Sequence, residues 1–231
     1  MINKILSDVD PDIYVYETNL NFGIDFGQRL LDQALNHSEQ FPKRHNYETL
    51  ENPKEMIRRV GGDKTRELYN RYNQFLNLWS NQNRIIFDQL FFTEDLKAEL
   101  LDIIPGWLKP FAGGPDFMLQ IGHGGDILYP HKGHRRTCSL FMLLQADDQE
   151  TRWYRNTEDF EIIDPLRIPD MSKVEHVVSA VMQPFKWYVF NHKEWHSVHK
   201  YSSSQKRINM GIDFNDVPAQ ELVKLIKHHG Y

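Results

Sequence analysis

Apolar positions change their spacing about halfway along the chain. In the first half they recur every three or four residues, the signature of helices with one buried face. From Asp25 to about Gln40, Leu30, Leu31, Ala34 and Leu35 form such a face, with Asp25 placed as its cap. The longest helical pattern runs from Asp63 to Phe91, through Leu68, Tyr72, Phe75, Leu76, Trp79, Ile85, Ile86 and Leu90. Asn81-Gln82-Asn83 is positioned to kink or split it. Thr93 opens a further helix with Glu94 and Asp95 in its first turn, where the helix dipole favours acids. Pro105-Gly106 stops it near Ile104. Between these helices, Phe41 to Gly62 is polar and broken by Pro42 and Pro53. It predicts a loop with a short helical turn, either a lid or surface padding. Ahead of everything, Ile13 to Thr18 has the β-branched and aromatic content of a strand.

After Gly113-Gly114-Pro115 the pattern becomes strand-like. Predicted strands are Phe117 to Ile121, Ile127 to Tyr129, Thr137 to Gln145, Thr151 to Arg155, Val174 to Met182, Lys186 to Phe190, Ser197 to Tyr201 and Lys206 to Phe214. Short strands at such regular spacing suggest a sandwich or barrel. Pro218 to His229 predicts a closing helix. The fold class expected is α+β: a jelly-roll barrel or double sheet with helices packed on one face. No linker rich in Pro, Gly or Ser divides the chain. It reads as one domain over 1–231, with helical support in 1–112, a β core in 113–216 and a C-terminal helix in 217–231.

Composition narrows the picture only slightly. The chain has 231 residues, 40% hydrophobic and 26% charged, as in an ordinary globular protein. A net charge of -5 argues against a nucleic-acid partner. Cys138 is the only cysteine, which excludes an intramolecular disulfide and a cysteine-based zinc site. No secretory signal and no membrane-length apolar run is visible, so the cytoplasm is the expected compartment.

The candidate chemistry lies in two histidine-bearing segments, Tyr129-Pro130-His131-Lys132-Gly133-His134-Arg135-Arg136-Thr137 and Phe190-Asn191-His192-Lys193-Glu194-Trp195-His196-Ser197-Val198. His131 and His196 are 65 positions apart, too far for one helix to place both, but two strands can. Two imidazoles brought together from separate strands make a plausible metal site. Arg207, on the last strand, is a candidate anchor for an anion. Lys132, Arg135 and Arg136 read as a solvated face or as a basic mouth for an acidic substrate. His192 reads as exposed. His123-Gly124-Gly125-Asp126 reads as a turn, and His228-His229 as a frayed helix end.

Together, residues 117 to 214 resemble the Fe(II)/2-oxoglutarate-dependent oxygenases. Their motif is H-x-D/E at the start of a double-stranded β-helix, a distal histidine near its end and a basic residue on the following strand. His131 and His196 match the metal ligands, and Arg207 matches the residue that holds the far carboxylate of 2-oxoglutarate. Tyr129 or Ser139 is placed to add a hydrogen bond there. Gly133 stands where the carboxylate ligand is expected. The aspartyl/asparaginyl β-hydroxylase branch also has H-x-G, although Phe141 stands here at the position of an arginine in that branch. The non-haem iron halogenases also have a small residue there, with a halide in the gap. A dead site, or a replacement ligand from His134, Asp126, Glu194 or His199, completes the alternatives. The resemblance implies Fe(II) and 2-oxoglutarate as cofactors, with chloride for a halogenase. It implies hydroxylation of an unactivated C–H bond, radical halogenation, or ligand binding on a non-catalytic barrel. The substrate is expected to be a small molecule or a peptide, with no membrane partner.

Overall fold

The computed structural model describes residues 13–37, 40–41, 57–58, 60–78, 87–112, 118–122, 128–133, 136–146, 149–163, 168–199, 206–214 and 216–231. Their helices are α1 (Ile24–Asn36), α2 (Gly62–Leu78), α3 (Glu94–Ile103) and α4 (Ala219–His228). The strands are β1 (Val15–Glu17), β2 (Phe87–Phe91), β3 (Met118–Gly122), β4 (Leu128–His131), β5 (Cys138–Gln145), β6 (Glu150–Asn156), β7 (Val174–Ala180), β8 (Trp187–Asn191), β9 (Trp195–His199) and β10 (Arg207–Phe214).

The strands form two antiparallel sheets, a large one in the order β1-β8-β5-β10-β3-β2 and a small one in the order β4-β9-β6-β7. From β3 to β10 the chain crosses between the sheets at every connection but the β6–β7 hairpin. That alternation is the jelly-roll pattern. Among the described residues no pairing joins one sheet to the other, so the expected barrel is an open double sheet.

Period-two alternation sorts the large sheet into two faces. Leu140, Met142 and Leu144 of β5, Val189 of β8, and Ile208, Met210, Ile212 and Phe214 of β10 are buried on the outer face. The same core holds Phe26, Leu30 and Ala34 of α1, Leu100 of α3 and Leu222, Val223 and Ile226 of α4. The residues between them, Ser139, Phe141 and Leu143 or Arg207, Asn209, Gly211 and Asp213, therefore face the small sheet. A second apolar cluster, including Phe141, Leu143, Trp153, Tyr188 and Phe190, fills part of that space.

Not every helix covers the large sheet. The buried Arg71 of α2 donates to the carbonyls of Glu161 (2.7 Å) and Ile168 (3.3 Å), and its guanidinium lies over the Phe160 ring. Phe160 in turn stacks on Trp195. This ties α2 to the β6–β7 connection beside the small sheet, correcting the expectation of helices on one face only.

Two further expectations change. The long helix through Phe91 ends at Leu78, and Phe87–Phe91 is an edge strand paired along β3. Pairing with the sheet buries Leu90 and overrides the helical spacing. Asp25 is not the cap of α1: Gly23, at φ 72°, takes that position, and Asp25 sits in the first turn. Thr93 does cap α3, accepting from the Leu96 amide. The predicted Phe41–Gly62 loop lies mostly outside the described residues. Among the described residues no helix is long and apolar enough to cross a membrane.

Candidate metal centre

His131 ends β4 and His196 is the second residue of β9. The two are direct cross-strand partners, and their rings lie 4.2 Å apart, centre to centre. Cross-strand neighbours are the closest side chains a sheet can offer, so strand register does what sequence separation forbids. His196 donates from Nδ1 to the Glu194 carbonyl at 2.9 Å, because a carbonyl can only accept. Its Nε2 is thereby left as the lone-pair nitrogen, the arrangement typical of a metal-bound histidine. Burial first, then the charge of His131, pushes the His196 pKa well below its ordinary value, so the ring is neutral near pH 7.

His192 is not exposed, as its sequence context suggested, but 4% accessible. It follows Tyr188 and Phe190 at the two-residue period that points into the double sheet. Its ring lies 5.4 Å from His196 and 4.8 Å from Phe190. Nε2 bonds the Ser139 hydroxyl at 2.8 Å, while the buried Nδ1 has no hydrogen-bond partner. Burial, then the charge of Arg136, lowers its pKa well below normal.

Gly133 is a glycine for want of space. Its amide donates to the His192 carbonyl at 2.7 Å. A Cβ built on it would lie 2.6 Å from the His192 Cβ and 3.0 Å from the Arg136 carbonyl oxygen. Its φ is not in the left-handed range, so backbone conformation does not demand glycine. An aspartate here would have to start where the His192 side chain starts.

Arg207 is 3% accessible and lies 5.9 Å over the Phe141 ring, with Nη2 3.4 Å from the Thr151 hydroxyl. Thr151 is two residues along β6 from Trp153, the cross-strand partner of His196. Two strand residues span about 7 Å along β6. Gly211, on the same face of β10, leaves room. A Cβ added there would meet only the Leu140 carbonyl oxygen, at 3.7 Å.

Ser139 does not stand at the Arg207 end. It pairs with Asp213, six positions along β10 from Arg207, and its hydroxyl is engaged by His192. Tyr129 lies in β4, but its side chain is outside the described residues, as are His134, Arg135 and Asp126. Glu194 contributes its carbonyl to His196. His199 lies on the opposite face of β9 from His196, bonded to Ser197 (2.7 Å) and Tyr154 (3.3 Å). Arg136 pairs with Asp213 at 3.3 Å, and Lys132 lies 5.1 Å over Trp195. Both cations are thus held close to the site rather than spread over a solvated face.

The donors suit a divalent transition metal. Two imidazoles meet, the neutral His196 with its tautomer fixed, and a buried orphan nitrogen lies beside them. Among the described residues, no three His, Cys, Asp or Glu side chains converge on one point as placed.

No protein-family model matches the chain, and no curated protein matches it. Its likenesses are to solved structures. The Escherichia coli ribosomal oxygenase YcfD is 14% identical with a TM-score of 0.37, over 60% of this chain and 34% of that one. The non-heme alpha-ketoglutarate-dependent carbocyclase SnoK of nogalamycin biosynthesis is 13% identical with a TM-score of 0.39, over 68% and 77%. Vicilin from hazelnut, Corylus avellana, is 13% identical with a TM-score of 0.31, over 59% and 30%. The chain thus spans about a third of the length of YcfD.

Proposed function

We propose that the protein is a non-haem Fe(II)/2-oxoglutarate-dependent oxygenase that hydroxylates an unactivated C–H bond. One observation carries the reading: His131 and His196 meet as cross-strand partners at one end of the double-sheet interior, with Arg207 buried on the facing sheet. His131 and His196 hold the metal through ring nitrogens, and the Glu194 carbonyl keeps His196 in the required tautomer. Arg207 receives the far carboxylate of the cosubstrate with a permanent charge and a planar pair of donors. The space over Gly211 takes its carbon chain. Bound Fe(II) and 2-oxoglutarate supply the O2-dependent oxidation that removes hydrogen from the substrate carbon. Phe141, Trp153 and Phe190 form a dry wall that keeps water from that reaction.

The substrate is a small molecule or a peptide that enters past Lys132 and Arg136. The halogenase reading loses its main motive, since packing against His192 accounts for Gly133 without a halide. Radical halogenation and binding without turnover on the same scaffold are the alternatives.

The test is anaerobic. Fe(II) and 2-oxoglutarate added to apo-protein should give the weak visible band of the metal–keto acid chelate. His131→Ala and His196→Ala should each abolish both the band and succinate formation in air. A wild type without a band, or variants that keep it, would end the proposal. A band without succinate under any condition would favour the binding protein.

A further inference from the structure

We propose that His192 is the third ligand of the metal centre, in place of the carboxylate that Gly133 cannot supply. This rests on the metal site proposed above and deepens it to a three-imidazole centre. The first support is steric. The Cβ that residue 133 would need lies 2.6 Å from the His192 Cβ, so the two side chains compete for one origin. With glycine at 133, the group rooted at that place is an imidazole.

The second support is an orphan. His192 Nδ1 is buried with no hydrogen-bond partner, while Nε2 is bonded to Ser139. A buried ring nitrogen without a partner is desolvated with nothing to offset it. If Nε2–H donates to the Ser139 hydroxyl, Nδ1 carries the lone pair. This repeats at His192 what the Glu194 carbonyl does at His196, where the nitrogen not facing the metal is fixed by a hydrogen bond.

The third support is distance. A metal about 2.1 Å from a ring nitrogen lies roughly 3.2 Å from the ring centre, so imidazoles sharing it at 90–110° have centres about 4.5–5.2 Å apart. The observed separations, 4.2 Å for His131–His196 and 5.4 Å for His192–His196, lie a few tenths of an ångström below and above that range. As placed, the three rings do not converge on one point, so holding one ion together requires them to turn about their side-chain bonds. The backbone of His192 is already pinned, accepting from Gly133 N–H at 2.7 Å and donating to the Thr137 carbonyl at 3.0 Å.

Co(II) is the probe. Apo-protein is titrated with it anaerobically, followed by calorimetry and by the visible spectrum, and X-ray absorption counts the bound imidazoles. Wild type should show three. His192→Ala and the gentler His192→Gln should show two, with affinity at least tenfold weaker, and added imidazole should restore the spectrum of His192→Ala. A wild-type count of two would overturn the proposal, and that measurement needs no variant to fold. So would His192 variants with wild-type affinity and spectrum while His131→Ala loses both. If His131→Ala also changes nothing, the metal site itself is wrong, a distinguishable result.

Discussion

Replacing Gly133 with alanine tests whether packing, rather than a bound halide, explains the missing carboxylate. Glycine-to-alanine changes at ordinary φ stabilise a protein by about 0.4–1 kcal/mol, because the unfolded chain loses freedom. Gly133 has such a φ, so without a clash alanine should help. The structure gives the opposite sign. The new methyl would sit 2.6 Å from the His192 Cβ and 3.0 Å from a backbone oxygen, and neither is the end of a flexible side chain. Moving apart would also stretch the 2.7 Å hydrogen bond from Gly133 to His192. Overpacking of this kind costs about 1–3 kcal/mol, so the net loss is roughly 1–2 kcal/mol. For a chain of 231 residues that lowers Tm by about 2–8 °C. The assay is thermal unfolding of metal-free protein, followed by circular dichroism. Gly106→Ala is the control, since a Cβ there meets nothing within 4 Å. A Gly133→Ala variant as stable as that control would refute the steric account and return the halide to consideration. For the same reason, Gly133→Asp alone is a poor test of restored carboxylate ligation. It needs His192→Gly beside it to open the space.

Other outcomes follow from single groups. Gly211→Leu should fold normally and bind Co(II) as wild type does, yet weaken 2-oxoglutarate binding at least tenfold in a calorimetric titration; unchanged affinity would mean the cosubstrate does not lie over β10. Burial, helped by Asp213, pushes the Cys138 thiol up to about 12, and its Sγ donates to the Val217 carbonyl at 3.0 Å. Native protein at pH 8 should therefore resist a thiol-specific disulfide reagent that reacts at once after denaturation. Burial also raises the Tyr188 phenol to about 12. Both groups are held protonated by the fold, so their contribution to stability is intact below about pH 9 and shrinks as pH rises towards 12, which denaturant titrations at increasing pH would register.

The double sheet was legible because its signals are local. Each strand of the second half carries its own β-branched and aromatic run, and the structure places a strand within a few residues of every one. The first half was harder. Phe87–Phe91 fits a helical spacing equally well, and only the free edge of β3 decides for a strand. At the site, His131, His196 and Arg207 stand out by their place in a motif, and the structure brings the two histidines together. His192 reads as exposed in the sequence because its neighbours, Asn191 and Lys193, look like a polar turn. The two-residue period of Tyr188, Phe190 and His192 was the available signal, extended one residue past the end of β8. The reason for Gly133 was beyond reach, since it depends on a contact between segments about sixty residues apart in a chain of known fold.

Exchanging a carboxylate for a neutral imidazole changes what the centre attracts. A dication held by His131, His192 and His196 would carry one unit more positive charge than a centre with one carboxylate ligand. At about 4 Å and an effective dielectric near 20, one unit of charge is worth of order 4 kcal/mol to an anionic ligand. The nearby cations do not all add to this, since Arg136 is balanced by Asp213. Arg207 is the fixed charge at the other end of the interior. A dianionic cosubstrate would meet positive charge at both ends. That distribution favours a short dicarboxylate over a monoanion of the same length. It also relieves the orphan nitrogen of His192, which a carboxylate at position 133 would have left both unsatisfied and displaced. If His192 is the third ligand, the glycine, the buried histidine and a preference for a dianion follow together from one substitution of ligand type.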